Sequence, residues 1–158
     1  MTNNESLQVE IQSSYNAYSS RLSDDLLEGW VELFCEDAQY RLISRRNHEM
    51  GMPLCTIICE SRGALIDRVA AIRNTMVFAP RKILHTSSNV QISEAGTEVV
   101  QARSHFVVWQ TFETGATELQ MVGRSFDVWK RQDDRLQLWK RDAVFDTELV
   151  PGSVVYPA

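Results

Sequence analysis

Three cysteines and three histidines limit the chemistry that this 158-residue sequence can support. Cys55 and Cys59 are spaced closely enough to invite a metal ion or a disulfide. In a strand, however, four residues span about 13 Å, too far for two thiolates to share one ion. The same span exceeds the roughly 4.4–6.8 Å between Cα atoms that a disulfide bridges. A helix would bring the pair together, but Thr56, Ile57 and Ile58 favour a strand. Cys35 has no motif around it, and all three cysteines read as structural thiols. A Rieske cluster needs paired Cys and His ligands, and no cysteine here is followed by a histidine two or three residues later. A two-histidine, one-carboxylate iron site would have to draw on His48, His85 and His105. A hairpin turning near Ala95-Gly96 would set His85 diagonally opposite His105, but no local spacing fixes such a site. No metal or cofactor-binding residue is therefore assigned.

Acid–base chemistry has more candidates. Asp37, Asp127 and Asp142 are the carboxylates, with Tyr15, Tyr18, Tyr40 or His85 as partners. A curved sheet closing on helices can bury such a carboxylate and raise its pKa. Each also has a plainer use as an ion-pair or capping residue, since Asp127 is near Arg124 and Asp142 follows Lys140 and Arg141. Nucleotide and nucleophile motifs are missing: no G-x-G-x-x-G, P-loop or G-x-S-x-G occurs.

The elements that would position these groups follow from periodicity. Leu7, Ile11, Tyr15, Tyr18 and Leu22 share one helix face. Ser23 is placed to cap a second helix carrying Leu26, Leu27, Trp30, Leu33 and Phe34 and ending at Cys35-Glu36-Asp37. A short strand, 38–43, precedes an irregular stretch to Pro53, a strand over 54–59 and a helix over 61–74. Beyond Pro80 the period becomes two, with strands at 82–92, 98–112, 118–131 and 135–146 joined by Gly- and Asp-bearing turns. Helices followed by a meander indicate an α+β domain with helices packed on one face of the sheet. The two faces of 98–112 both carry bulky residues. One holds Arg103, His105 and Trp109, and in the last strand Trp139 and Arg141 fall together, a mixture typical of protein–protein contacts.

Composition narrows the partners. A 44% hydrophobic chain with 14 aromatic residues is not disordered and forms one domain over 1–158, with a flexible start at 1–6. A C-terminal tail, 147–158, is expected to dock on the sheet or on a partner. The net charge of −5, with 13 Arg and three Lys, argues against a sequence-independent nucleic-acid binder. No apolar run is long enough for a membrane span, and the N-terminal segment lacks the features of a signal peptide. An odd number of thiols in a domain of this size fits a cytoplasmic protein.

Helices feeding a meander, with W-x-x-L-F-x-x-D-A-x-Y at Trp30, Leu33, Phe34, Asp37, Ala38 and Tyr40, form a recognisable pattern. It continues with Asp67-Arg68-Val69, His85, Asn89-Val90, Gly123-Arg124-Ser125-Phe126-Asp127, Lys130-Arg131, and Arg141-Asp142 through Asp146 to Pro151. The chain resembles the small (β) subunit of bacterial aromatic-ring-hydroxylating dioxygenases, which are Rieske non-haem iron oxygenases. Tyr40-Arg41-Leu42, Asn47, Gly51-Met52-Pro53-Leu54, Glu60-Ser61 and the tail look most like the salicylate 5-hydroxylase and terephthalate dioxygenase branch.

The resemblance implies a cone of the ketosteroid-isomerase-like type, its helices packed on a curved, mainly antiparallel sheet. It further implies a non-catalytic subunit with no catalytic residues of its own, which stabilises an α3β3 assembly that as a whole hydroxylates an aromatic acid. The large α subunit would hold a [2Fe-2S] Rieske cluster and mononuclear Fe(II). NAD(P)H electrons would arrive through separate reductase or ferredoxin components. Contacts with the α subunit and with other β subunits are expected at Arg103, His105, Trp109, Trp139 and Tyr156. The alternative is a stand-alone isomerase or dehydratase with the same cone, acting on a small hydrophobic molecule.

Overall fold

The first helical periodicity is realised without change in the computed structural model, which describes residues 3–158. Helix α1 (Asn3–Ser23) buries Ile11, Tyr15, Tyr18 and Leu22 on a single face. Of the flexible start expected at 1–6, residues 1 and 2 lie outside the described range, and residues 3–6 belong to the first turns of α1.

The second helix departs from expectation. Helix α2 covers only Leu27–Val31, and its N-cap is Leu26, with no side-chain cap bond. Ser23 ends α1 instead; its hydroxyl donates to the Ser19 carbonyl (2.8 Å) and accepts from the His85 N–H (2.9 Å). Asp25 takes a left-handed conformation (φ 57°) between the two helices. Strand β1 (Phe34–Ser44) then starts at Phe34 rather than Ala38. The Leu138 N–H donates to the Leu33 carbonyl (2.8 Å), and Phe34 falls in register with Leu138. Pairing with a strand a hundred residues away in sequence overrides the local helical spacing.

A one-turn helix, α3 (Arg45–Glu49), forms in the stretch read as irregular, capped by Ser44, whose hydroxyl accepts from the Asn47 N–H. Strand β2 (Ile57–Cys59) is only the second half of the expected 54–59 strand. Helix α4 (Arg62–Asn74) begins where predicted: the Ser61 hydroxyl accepts from the Ala64 N–H (3.1 Å), and Leu65, Val69 and Ile72 are buried. Strands β3 (Arg81–Ala95), β4 (Val99–Phe112), β5 (Thr117–Gln132) and β6 (Arg135–Phe145) follow the period-two reading closely. Asp133 and Asp134 both have positive φ (47° and 60°) between the paired residues Gln132 and Arg135. That two-residue turn has the twist that a hairpin requires.

The fold is α+β, as expected. Its six-stranded sheet has the order β2-β1-β6-β5-β4-β3, antiparallel throughout except for the parallel β1–β6 pair. Register shifts occur in β3 between Ser88 and Gln91, in β5 between Leu119 and Met121, and in β6 between Leu138 and Lys140. Such bulges bend strands and increase twist, so the sheet curves around α1. They also change which side chains face inwards. On β4 the alternation is regular, with Val100, Ala102, Ser104, Phe106, Val108 and Gln110 buried and the intervening residues mostly exposed. On β6 the bulge at Trp139 breaks the alternation, so Leu138 lies buried with Arg141, Ala143 and Phe145. Strict alternation had grouped Leu138 with Lys140 and Asp142, and Trp139 with Arg141.

Gly123 sits where the sheet leaves no room for a side chain. A Cβ placed there would lie 2.1 Å from the Val144 carbonyl oxygen and 2.8 Å from Phe106 Cζ. Backbone cannot yield as a flexible side chain can. Gly123→Ala should therefore destabilise the chain by roughly 3 kcal/mol or more in chemical denaturation, beyond the usual penalty for overpacking.

Candidate functional site

The inner face of the sheet carries a buried polar cluster centred on Asp127 and Arg141, which are cross-strand partners on β5 and β6. The Arg141 guanidinium donates through Nη1 to Asp127 Oδ2 at 3.0 Å, and neither side chain is exposed at all. Two further donors reach the same oxygen: the Tyr15 hydroxyl from α1 at 2.5 Å and the Ser125 hydroxyl at 2.6 Å. Ser104 on β4 lies 2.8 Å from Ser125, hydroxyl to hydroxyl. Burial pushes the Asp127 carboxyl up, while Arg141 and the Ser125 and Tyr15 hydroxyls pull it down. Burial also opposes the charge on Arg141, but Asp127 and the surrounding tyrosines outweigh it and the guanidinium stays charged.

The C-terminal segment closes the cluster from the other side. The main-chain oxygen of Ala158 accepts from Tyr18 Oη (2.9 Å), Tyr40 Oη (3.0 Å) and Arg141 Nε (3.4 Å). The Ala158 N–H donates back to Tyr40 Oη at 2.9 Å. Burial, first among the causes, pushes the Tyr18 phenol up to about 12 and those of Tyr15 and Tyr40 well above their ordinary value. All three phenols are therefore hydrogen-bond donors at neutral pH. The tail is also held along its length, by Gln110 on the Pro151 carbonyl, Arg81 on Ser153 and Arg68 on the Val155 carbonyl (2.9 Å).

His85 borders this cluster. Its Nδ1 lies 3.0 Å from Ser19 Oγ, its ring stacks on Phe106 and meets Tyr18 edge-on, and its Nε2 is buried without a hydrogen-bond partner. Burial, reinforced by the Arg141 charge, lowers its pKa to about 3. Among the expected catalytic candidates the structure therefore gathers Asp127, Tyr15, Tyr18, Tyr40 and His85. It leaves the other two carboxylates outside. Asp37 is exposed, accepting from the Trp139 indole at 3.0 Å with Lys130 3.7 Å away. Asp142 pairs with Arg41 rather than with its chain neighbours. The partner of Asp127 is likewise Arg141 and not Arg124. Cross-strand register, which local sequence does not reveal, decides both pairings.

The three histidines do not converge. His85 pairs with Val108 across the β3–β4 ladder and faces inwards, whereas His105 pairs with Ser88 and is exposed near Asn89. His48 stacks on Phe126, 5.4 Å between ring centres. The expected diagonal approach of His85 and His105 is therefore corrected: they occupy opposite faces of the sheet. Burial pushes all three cysteine thiols up, away from the reactive thiolate. Among the described residues no group of three or more His, Cys, Asp and Glu side chains could hold a metal ion, and no helix is long and apolar enough to cross a membrane.

The outer face has a different character. Leu84, Trp109 and Leu119 are successive cross-strand partners on β3, β4 and β5, and they are 54%, 41% and 40% exposed. Arg103 lies on the same face, bonded to Gln91 and opposite the exposed Phe126. Trp139 is half-buried between Lys130 and Lys140, 4.2 and 4.5 Å from its ring centre. Tyr156 is half-buried and meets Phe78 edge-on. Sequence reasoning missed Arg141 and the tail as partners of the cluster. The available signal was an arginine in phase with Ala143 and Phe145 on a strand.

Two measurements test the cluster. Arg141→Met should cost about 3–5 kcal/mol in chemical denaturation, because it leaves Asp127 buried and unpaired. Adding Asp127→Leu should make the double variant less destabilised than the sum of the two single changes. The second test concerns pH. Folded His85 stays neutral down to about 3, while in the unfolded chain it takes up a proton near its ordinary value of 6.5. Unfolding thus binds a proton between those values, and the histidine's contribution to stability is lost as pH falls through that window. The raised carboxyl of Asp127 acts in the opposite sense, so the comparison must be with His85→Asn. The stability advantage of the unsubstituted chain over that variant should shrink on acidification by up to about 1.4 kcal/mol per pH unit.

Comparison with known proteins bears on both faces. The family model described as "Ring hydroxylating beta subunit" matches residues 6–152. The chain is 28% identical over 148 residues to the anthranilate 1,2-dioxygenase small subunit of Burkholderia cepacia, covering 94% of this chain and 92% of that one. It is 25% identical over 150 residues to the beta 1 subunit of the terephthalate 1,2-dioxygenase terminal oxygenase component of a Comamonas species, covering 95% and 97%. A crystal structure from Novosphingobium aromaticivorans, assigned as the β subunit of an aromatic-ring-hydroxylating dioxygenase, superposes with a TM-score of 0.89 at 29% identity, covering 98% and 99%. The cone fold is shared more widely. A chain from the same organism assigned as a scytalone dehydratase gives a TM-score of 0.72 at 18% identity, covering 100% and 99%. With its family model matched over nearly the whole length, this chain belongs to the β-subunit family of the aromatic-ring-hydroxylating dioxygenases.

Proposed function

We propose that this chain is the non-catalytic, structural subunit of an oxygenase acting on an aromatic acid. It would assemble with a large α subunit and with other copies of itself in an α3β3 complex. The observation that carries the structural role is the apolar row Leu84–Trp109–Leu119 across the outer face. A solvated sheet face should present polar side chains, and an exposed row of large apolar residues is characteristic of a protein interface. Arg103 and His105 share that face and extend the proposed contact. Trp139 and Tyr156 lie off the row and belong to a second contact, because a ring of three copies that also binds another chain needs more than one patch.

On this reading the Rieske cluster and mononuclear Fe(II) reside in the α subunit. The histidines, cysteines and carboxylates described here do not fit either group. An aromatic acid as substrate agrees with the relatives named for anthranilate and terephthalate. A free-standing isomerase or dehydratase would need an isolated carboxylate in an open interior. Here Asp127 is engaged by Arg141, Tyr15 and Ser125, and Ala158 occupies the space beside it.

Co-expression with an α subunit of an aromatic-acid oxygenase, followed by native mass spectrometry, tests the assignment. The expected species contains three copies of each chain. Trp109→Asp with Leu84→Asp should abolish that species while far-UV circular dichroism stays unchanged. A chain that remains a monomer or homodimer beside a folded α subunit would overturn the proposal.

A further inference from the structure

Charge is unevenly spread over the outer face of the sheet. At one end Trp109 pairs with Leu119; towards the other, His105 pairs with Arg124 and Arg103 with Phe126. The face thus grades from apolar to cationic. Arg103 and Arg124 are exposed. Arg103 bonds only to the neutral Gln91, and Arg124 has no partner among the described residues. The carboxylate opposite Phe126, Asp142, is committed to Arg41, and Glu94 lies at the far end of β3 beside Gln101. In a chain whose net charge is −5, this face is a cationic island.

Free negative charge lies across the domain. Leu65, Val69 and Ile72 bury one side of α4 in the same core as the inner face of the sheet, so the other side of α4 points away from the sheet. Arg62 and Arg73 of that helix are already paired, with Glu36 and with Asp25 and Glu28. Glu32 and Asp67 are exposed on this helical side without an ion pair among the described residues. These positions restrict what can cover the outer face. A twofold contact would press a cationic surface against its own image. Contact with the helical side of the next copy would join the domain through opposite sides, which propagates an open filament and closes no ring. A chain of different sequence meets neither objection.

We propose that the outer face is the docking surface for the α subunit, and that the α surface seated on it presents carboxylates to Arg103 and Arg124 and an apolar pocket to Trp109. This rests on the assembly proposed above and assigns one of its contacts; copies of this chain then meet one another through other surfaces. The arginines serve twice. They attract an acidic partner and steer its approach, and they oppose the pairing of two outer faces, which leaves the apolar row available to that partner.

The test is Arg103→Glu with Arg124→Glu in the full chain, measured by biolayer interferometry against an α subunit of an aromatic-acid oxygenase that the unsubstituted chain binds. The double variant should bind α at least about tenfold more weakly, chiefly through slower association. Its far-UV circular dichroism and the self-association of the isolated chain, read by native mass spectrometry, should not change. A second measurement needs no variant. Association of the unsubstituted chain with α should slow at least about tenfold between low salt and roughly 1 M salt, where exposed charges are screened over about 3 Å. Unaltered α binding by the folded variant, salt-insensitive association, or loss of self-association with α binding retained overturns this inference and leaves the assembly reading standing. Failure of the unsubstituted chain to bind any such α subunit overturns the assembly reading itself, and is seen before a variant is made.

Discussion

The ion pair between Asp127 and Arg141 is the constraint to which most other features of the interior answer. Two opposite charges without solvent contact are tolerable only with support from further hydrogen bonds. Here Tyr15 on α1, Ser125 on β5 and the main-chain oxygen of Ala158 reach the pair directly, and Ser104 and Tyr40 lie one hydrogen bond further out, while Asp127 Oδ1 and Arg141 Nη2 are buried without a partner among the described residues. The pair thereby ties the register of β5 and β6 to the position of α1 and to the path of the tail. A slip of one residue in either strand would turn one charge outwards and leave the other stranded.

The same sheet serves two purposes through its two faces. Inwards it presents small residues and polar groups, Gly123, Ser125, Asp127 and Ser104, which leave room for the tyrosines of α1 and for Ala158. Outwards it presents Leu84, Trp109, Leu119, Phe126 and Arg103. Membership of the β-subunit family gives that outer apolar row a rationale as an interface. The polar interior has no comparable rationale from assembly. It resembles the interior of an enzyme in its chemistry, but the chain's own C-terminal residues fill it.

Much of this was legible in the sequence. The helix face of Ile11, Tyr15, Tyr18 and Leu22, the cap at Ser61, and the four long strands follow from local periodicity and turn chemistry. The family pattern, running from Trp30 to Pro151, identified the fold, and the alternation along 98–112 placed Arg103, His105 and Trp109 on one face. The errors have a common origin. The second helix was read too long because Leu33 and Phe34 continue its spacing, while the pairing of Phe34 with Leu138 draws them into β1. Asp127 was read beside Arg124 because neighbours along the chain are visible and partners across a ladder are not. His85 was set diagonally opposite His105, but it lies three residues from Ser88, the ladder partner of His105, and so faces the other way.

The sequence by itself determined the α+β class, the family, and the scarcity of redox ligands, because these depend on residue types and short-range spacing. Tertiary structure alone decided which carboxylate is buried, which arginine it meets, and that Ala158 lies at the end of their network. The physical reason is the bulge. A single extra residue near Trp139 inverts the facing of everything beyond it on β6, turning Arg141 inwards beside Leu138. No periodicity of two or of 3.6 announces where such a residue will fall.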